Sequence, residues 1–142
     1  MTVRDIMTAP AIAVGQDETV AAAARLLRRY NLGALPVCDA AGRRRGMVTD
    51  RDIALRCFGL EDAGAPIRVG EIMSRGIVTA DPADSVEAAA RTMAKERVRR
   101  LPVTEGGRLV GMVSLCDMAR RRECREVWTA AMQSISANVI RR

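Results

Sequence analysis

The chain repeats itself. "VRDIM" (3–7) aligns with "VGEIM" (69–73), "TVAAAAR" (19–25) with "SVEAAAR" (85–91), and "LPV" (35–37) with "LPV" (101–103), all at one constant offset. A single-residue deletion then brings "GRRRGMVTDRDIA" (42–54) against "GRLVGMVSLCDMA" (107–119). Shared order over so much of two half-chains is the mark of an internal duplication. A unit that cannot bury its apolar face alone must pack with its twin. The 142 residues therefore divide into repeat 1 over 1–60, a linker over 61–68, repeat 2 over 69–122 and a C-terminal helical extension over 123–142.

Each copy carries the same local signals. An apolar stretch, "PAIAV" (10–14) or "GIVTA" (76–80), is expected as a strand. Thr19 or Ser85 then stands where an N-cap belongs, ahead of an Ala-rich helix ending near Tyr30 or Arg97. Val20, Ala23, Ala24 and Leu27 recur at helical spacing, as do Val86, Ala89, Ala90 and Met93. "ALPVC" (34–38) and "RLPVT" (100–104) follow as short strands, with a proline that suits a strand's edge or beginning. A Gly-containing turn leads into the strand ending "GMV", which makes a hairpin.

A second helix is expected from Asp50 to Phe58, stopped by Gly59. Its counterpart starts near Leu115 and extends toward Gln133. The fold class is therefore mixed α/β (α+β), with two pseudo-symmetric β-α-β-β-α units packed through their sheets. Tyr30, Phe58 and Trp128 are the only aromatics, so the interior is aliphatic, with Met47 and Met112 filling irregular gaps. Trp128 is a packing anchor for the C-terminal extension, which covers either the other half or a second subunit.

The functional candidates are the corners where "GMVTDRD" (46–52) and "GMVSLCD" (111–117) turn from strand to helix. Thr49 with Asp52, and Ser114 with Asp117, have the spacing of a capping box, in which two side chains satisfy orphan backbone N–H groups. The usual partner in that box is Glu or Gln, whereas both copies use the shorter Asp. Each corner also places a carboxylate beside a helix N-terminus, where exposed N–H groups and the macrodipole attract anions. A hydroxyl and helix N–H groups can meet phosphate, and a carboxylate can accept both hydrogen bonds of a ribose cis-diol. Capping and nucleotide binding both remain open on these residues.

The order "DIM"/"EIM", "LPV", G-h-h-[ST]-x-x-D (h apolar), given twice over 3–54 and 69–119, resembles a tandem pair of CBS domains, named for cystathionine β-synthase. That resemblance implies a regulatory module, commonly a homodimer. Members bind AMP, ADP, ATP, NAD-type dinucleotides or S-adenosylmethionine in clefts between the repeats. It further implies that Asp52 and Asp117 hold ribose hydroxyls and that Thr49 and Ser114 lie near phosphate or ribose. Ile12 and Val78, with their neighbours, would flank adenine, and Arg99 and Arg100 would meet phosphates. Repeat 1 departs from this pattern, with Gly33 and Ala34 in place of the arginine pair.

Composition narrows the alternatives. The chain has no histidine, and Cys38, Cys57, Cys116 and Cys124 form no C-x-x-C, so neither a zinc site nor a histidine general base is expected. No nucleophile–base pair or Walker loop is present, so an enzyme is not expected. The start lacks a secretory signal pattern, and no apolar run nears the roughly 20 residues of a membrane span; a cytoplasmic protein is expected. The net charge of +6 is almost all arginine, with Lys95 the only lysine, and it favours anionic partners. The expected function is a stand-alone sensor of an adenosine-containing ligand that signals to an effector protein. The alternative is a basic nucleic-acid-binding protein, disfavoured by the scarcity of stacking aromatics. The arginines at 43–45 and 120–122 are read as solvated surface.

Overall fold

The computed structural model describes residues 1–57 and 66–140, with side chains described as far as residue 137. Phe58 and Gly59, the expected end and stop of a helix, lie outside the described residues, as does the expected linker up to residue 65. Two compact units are present, and they do not follow the repeat boundaries. One comprises Ile12–Ile77, and the other comprises Met1–Ala11 together with the chain from Val78 onward.

The opening segments are exchanged between the repeats. Helix α1, Val3–Ile6, precedes repeat 1, yet it buries Val3 and Ile6 among Met93, Leu101, Val103, Val113 and Met118 of repeat 2. Helix α4, Val69–Ile72, does the reverse, placing Val69 and Ile72 among Ala23, Leu27, Leu35, Val37 and Val48. Burying each such side chain stabilises its unit by about 1.5–3 kcal/mol.

Single-turn helices are mostly orphan backbone groups, and these are satisfied from outside. The N–H groups of Val3 and Arg4 donate to the carbonyls of Asp84 and Pro82 at 2.8 and 3.0 Å, and those of Val69 and Gly70 donate to Glu18 and Gln16 at 2.9 and 2.8 Å. The acids of "DIM" and "EIM" finish the caps. Asp5 accepts from the Thr2 N–H at 2.8 Å, and Glu71 from the Arg68 N–H at 2.6 Å.

Each segment then bridges onto the "GMV" strand of its unit. Thr8 and Met112 exchange two backbone hydrogen bonds at 2.8 and 2.9 Å, and Ser74 and Met47 do the same at 2.8 and 3.0 Å. The glycine ahead of each methionine permits this approach. A methyl group on Gly46 would collide with the Ser74 carbonyl oxygen, and one on Gly111 would sit 2.8 Å from the Thr8 carbonyl oxygen. The repeated glycine is thus a packing requirement.

In the Ile12–Ile77 unit, β1 (Val14–Gly15), β2 (Ala34–Cys38) and β3 (Arg44–Thr49) form a sheet in that order, with β1 parallel and β3 antiparallel to β2. The other unit holds the antiparallel pair β4 (Arg100–Glu105) and β5 (Arg108–Ser114), to which Ala80 adds one parallel bridge at Val103. The first strand of each repeat is therefore far shorter than expected, and the proline explains why. The Ala80 N–H donates to the Pro102 carbonyl at 2.9 Å, and the Thr104 N–H donates back to Ala80 at 2.9 Å. Extending the ladder toward Val78 would require an N–H on Pro102, which has none. Pro36 limits β1 in the same way. It lies within the central strand of its sheet, with its donor-less side at the point where pairing stops.

Helices α2 (Val20–Tyr30) and α5 (Val86–Glu96) start at the expected caps: Thr19 accepts from the Ala22 N–H and Ser85 from the Ala88 N–H, each at 3.1 Å. Val20, Ala23 and Leu27 are buried, whereas Ala24, expected on the same stripe, is exposed. After β3 come a single α-turn, α3 (Asp50–Asp52), and a π-helical turn, Ile53–Cys57. After β5, α6 (Leu115–Ala119) ends where Arg121 adopts an extended conformation, followed by a 3₁₀ turn over Arg122–Cys124 and by α7, Arg125–Ile140. The continuous helix expected from Leu115 to Gln133 is thus broken. The break lets Cys124, Ala131 and Ile135 all enter the core beside α5, so α7 covers its own unit.

Replacing Gly111 by Ala is expected to lower unfolding stability by about 1–3 kcal/mol through overpacking, read by urea denaturation. In the β2–β3 turn, Asp39 accepts N–H bonds from Ala41 and Arg43, both at 2.9 Å, and pairs with Arg45 at 2.8 Å; these contacts, the Arg43 N–H foremost, hold its carboxyl below the usual range. Its stabilising contribution is present above the unfolded-state value of about 4 and is lost as pH falls through the lower folded value. Asp39→Asn should flatten the acid limb of stability against pH, measured by denaturation between neutral pH and pH ~3.

Candidate functional site

Both corners are built alike. The Thr49 N–H donates to Oδ2 of Asp52 at 2.9 Å, and the Asp52 N–H donates to Oγ1 of Thr49 at 2.9 Å. The Ser114 N–H donates to Oδ2 of Asp117 at 2.8 Å, the Asp117 N–H donates to Oγ of Ser114 at 3.2 Å, and the Ser114 hydroxyl lies 3.0 Å from Oδ2. Each pair is a complete capping box, and it engages only one carboxylate oxygen.

The other oxygen is held loosely. Oδ1 of Asp52 lies 3.7 Å from Nε of Arg56, and Oδ1 of Asp117 lies 3.8 Å from a guanidinium nitrogen of Arg120 and 3.5 Å from the Thr8 hydroxyl. These are weak contacts by distance. The two carboxylates are only 14% and 10% exposed, so water competes little for the remaining lone pairs. A short Asp can lock the turn through Oδ2 and leave Oδ1 outside the cap.

The other expected site residues fall at the same end of each sheet. In one unit Arg100 pairs with Ser114 across β4 and β5, and the Arg99 carbonyl accepts from the Leu115 N–H at 2.9 Å. Arg99 is exposed and Arg100 half-buried, and neither has an ion pair among the described residues. Val78 lies two residues before the Ala80 bridge and is 39% exposed. In the other unit Ala34 pairs with Thr49, and the Gly33 carbonyl accepts from the Asp50 N–H at 3.0 Å, so backbone alone occupies the place of the arginine pair. Ile12 lies two residues before Val14 and packs half-buried against that unit's core.

Three neighbours of the carboxylates were not expected at the site: Thr8 and Arg56 were not singled out from sequence, and Arg120 was read as solvated surface. Thr8 was legible, because a hydroxyl follows "DIM" and "EIM" in both copies as Thr8 and Ser74. The arginines were hidden, because Arg56 aligns with Arg121 while Arg120 does the equivalent work. The π-helical turn after Asp52 shifts the contacting residue from the third position to the fourth. Arg56 also donates to the Ile72 carbonyl at 2.8 Å, so it ties the corner to the exchanged helix α4.

Burial pushes the Cys57 thiol up, away from the low values of reactive cysteines, and it does the same to Cys38 and Cys124. Among the described residues, no helix is long and apolar enough to cross a membrane.

Two mixed α+β units, each with a short sheet and a capped Ser/Thr-x-x-Asp corner, define a CBS-pair protein. The CBS domain family profile matches residues 3–58 and 69–123, and the chain belongs to that family. It is similar to the CBS domain-containing protein YhcV of Bacillus subtilis, 39% identical over 136 residues and 95% of each chain. It is 40% identical over 121 residues to hypoxic response protein 1 of Mycobacterium tuberculosis, covering 84% of this chain and 83% of that one.

The crystal structure of hypoxic response protein I with two coordinated zinc ions superposes with a TM-score of 0.78 at 38% identity, over 85% of this chain and 98% of that one. Those zinc ions belong to hypoxic response protein I; the present chain has no histidine, and no group of three His, Cys, Asp or Glu suited to a metal occurs among the described residues. The CBS domain pair of MJ0100 in complex with 5′-methylthioadenosine and S-adenosylmethionine superposes with a TM-score of 0.74 at 30% identity, over 84% and 94% of the two chains. For CBSX2 in complex with AMP the values are 0.75, 28%, 84% and 93%.

Ser114→Ala and Thr49→Ala each remove the acceptor for a helix N–H. Each should cost about 1 kcal/mol of unfolding stability, a loss that urea denaturation can resolve.

Proposed function

We propose that this protein is a regulatory CBS pair that binds an adenosine-containing ligand at its two Ser/Thr-x-x-Asp corners. The observation that carries this reading is the divided use of each carboxylate. Oδ2 is consumed by the cap, whereas Oδ1 of Asp52 and of Asp117 has only contacts of 3.5–3.8 Å. The reading is supported by the AMP and S-adenosylmethionine complexes of its structural relatives.

In this reading Oδ1 accepts the two ribose hydroxyls, and Arg56 or Arg120 yields to the sugar. Thr49 and Ser114 hold the helix N-terminus open toward the ribose–phosphate side, and the aliphatic residues about Ile12 and Val78 flank adenine. Arg99 and Arg100 give the Ser114–Asp117 corner a phosphate-binding charge that Gly33 and Ala34 do not supply, so AMP, ADP or ATP binds more tightly there. A homodimer reporting ligand occupancy to an effector protein completes the proposal; the corners contain no nucleophile–base pair for catalysis.

Calorimetric titration with AMP, ATP, NAD and S-adenosylmethionine tests it. Saturable binding of at least one ligand is expected. Removing one carboxylate, as in Asp117→Ala, should cost about 1.5–3 kcal/mol at that corner, roughly 10- to 150-fold in affinity. Undiminished binding by an Asp52→Ala, Asp117→Ala double variant would overturn the ribose assignment.

A further inference from the structure

The break between α6 and α7 does more than turn the chain. It gathers Ala119, Arg120, Arg121, Arg122, Arg125 and Trp128 around a concave cavity of about 330 Å³. The repeat match ends at residue 123, so Arg125 and Trp128 come from the extension and lie outside the family's repeat. Four arginines and no aspartate or glutamate are among the residues that line this cavity.

Their charges are only partly answered. Arg120 has a loose contact with Asp117 at 3.8 Å, and Arg121 donates to the Asp5 carbonyl at 3.1 Å. Arg122 and Arg125 have no ion pair among the described residues, and Glu123 and Glu126, next to them in sequence, do not line the cavity. A sphere of this volume is about as wide as the Debye length at physiological ionic strength, about 8 Å, so salt screens the mutual repulsion incompletely. The cavity also includes the first residue of the 16-residue α7, whose dipole adds positive potential. Concentrated positive charge of this kind, answered only by the loose Asp117 contact of Arg120 and by Asp5 near Arg121, is suited to a compact polyanion.

We propose that this cavity is a second, independent anion site, which takes a chain of two or more linked phosphoryl groups, free or as the tail of a nucleotide. Arg122 and Arg125 supply bidentate contacts, Arg121 completes the charge, and the indole of Trp128 forms the apolar wall. The volume lies at the small end of ligand pockets. A single aromatic gives no platform for successive bases, which favours a small polyphosphate over a nucleic-acid strand. The site stands whether or not the two corners bind adenosine.

Trp128 is the only tryptophan, so its emission reports the cavity directly. Tripolyphosphate should produce a saturable change in that emission that sodium chloride of equal ionic strength does not reproduce. Arg122→Ser, Arg125→Ser should raise the midpoint about tenfold or more, while Arg28→Ser, Arg29→Ser, exposed on α2, leaves it in place. Circular dichroism verifies that the variants fold. Parallel titrations with ATP and adenosine separate the sources. A tighter response to ATP than to tripolyphosphate identifies a nucleotide tail, and an equal response identifies free polyphosphate. Adenosine reads the corners alone, so its failure would leave this site standing. The proposal is overturned by a wild-type protein with neither an emission change nor calorimetric heat, by an unaltered midpoint in the Arg122/Arg125 variant, or by an oligothymidylate that binds more tightly than tripolyphosphate at equal phosphate.

Discussion

The structure depends on a backbone contact that only glycine allows. Thr8 lies against β5 at Gly111, and Ser74 lies against β3 at Gly46, so close that a Cβ would meet a carbonyl oxygen. The two hydrogen bonds formed at each bridge fix the segment that carries α1 or α4, and through it two apolar side chains of the core. Substituting the glycine presses on the bridge first and on the buried valine and isoleucine next. The "GMV" strand also ends in the Ser/Thr-x-x-Asp corner, so one strand positions both the exchanged helix and the carboxylate.

Capping and ligand binding need not compete at that corner. A glutamate at the third position, the usual capping partner, reaches back with a longer and more mobile arm. Aspartate is short enough that forming the cap through Oδ2 holds Oδ1 in one place at the rim. In the proposed function, the interaction that starts the helix would pre-organise the acceptor and lower the ordering cost of binding. Arg56 and Arg120 face that oxygen at 3.7 and 3.8 Å.

Much of this was legible in the residues, and the gaps have physical causes. The caps at Thr19 and Ser85, the hairpins around "LPV" and "GMV", and the geometry of the corners are local features, and local signals report them well. The first strands were overextended because apolar runs such as "GIVTA" do not reveal that the neighbouring proline withholds the next donor. The break after Ala119 was invisible because helical periodicity continues through the arginines, and only the burial of Cys124, Ala131 and Ile135 requires it. The exchange of α1 and α4 was beyond sequence reasoning altogether. The repeat comparison registers that "VRDIM" and "VGEIM" are alike, and two interchangeable segments carry no signal of which core each one fills.

That interchangeability has a consequence for how such a protein can arise. A lone ancestral repeat would carry the right helix for its own interior and could either fold it inward or lend it to a neighbouring molecule. Once two copies share one polypeptide, reciprocal lending becomes intramolecular and no longer depends on concentration. Neither half can then drift, or be lost, without exposing the apolar interior of the other; the tandem has become a single heritable unit.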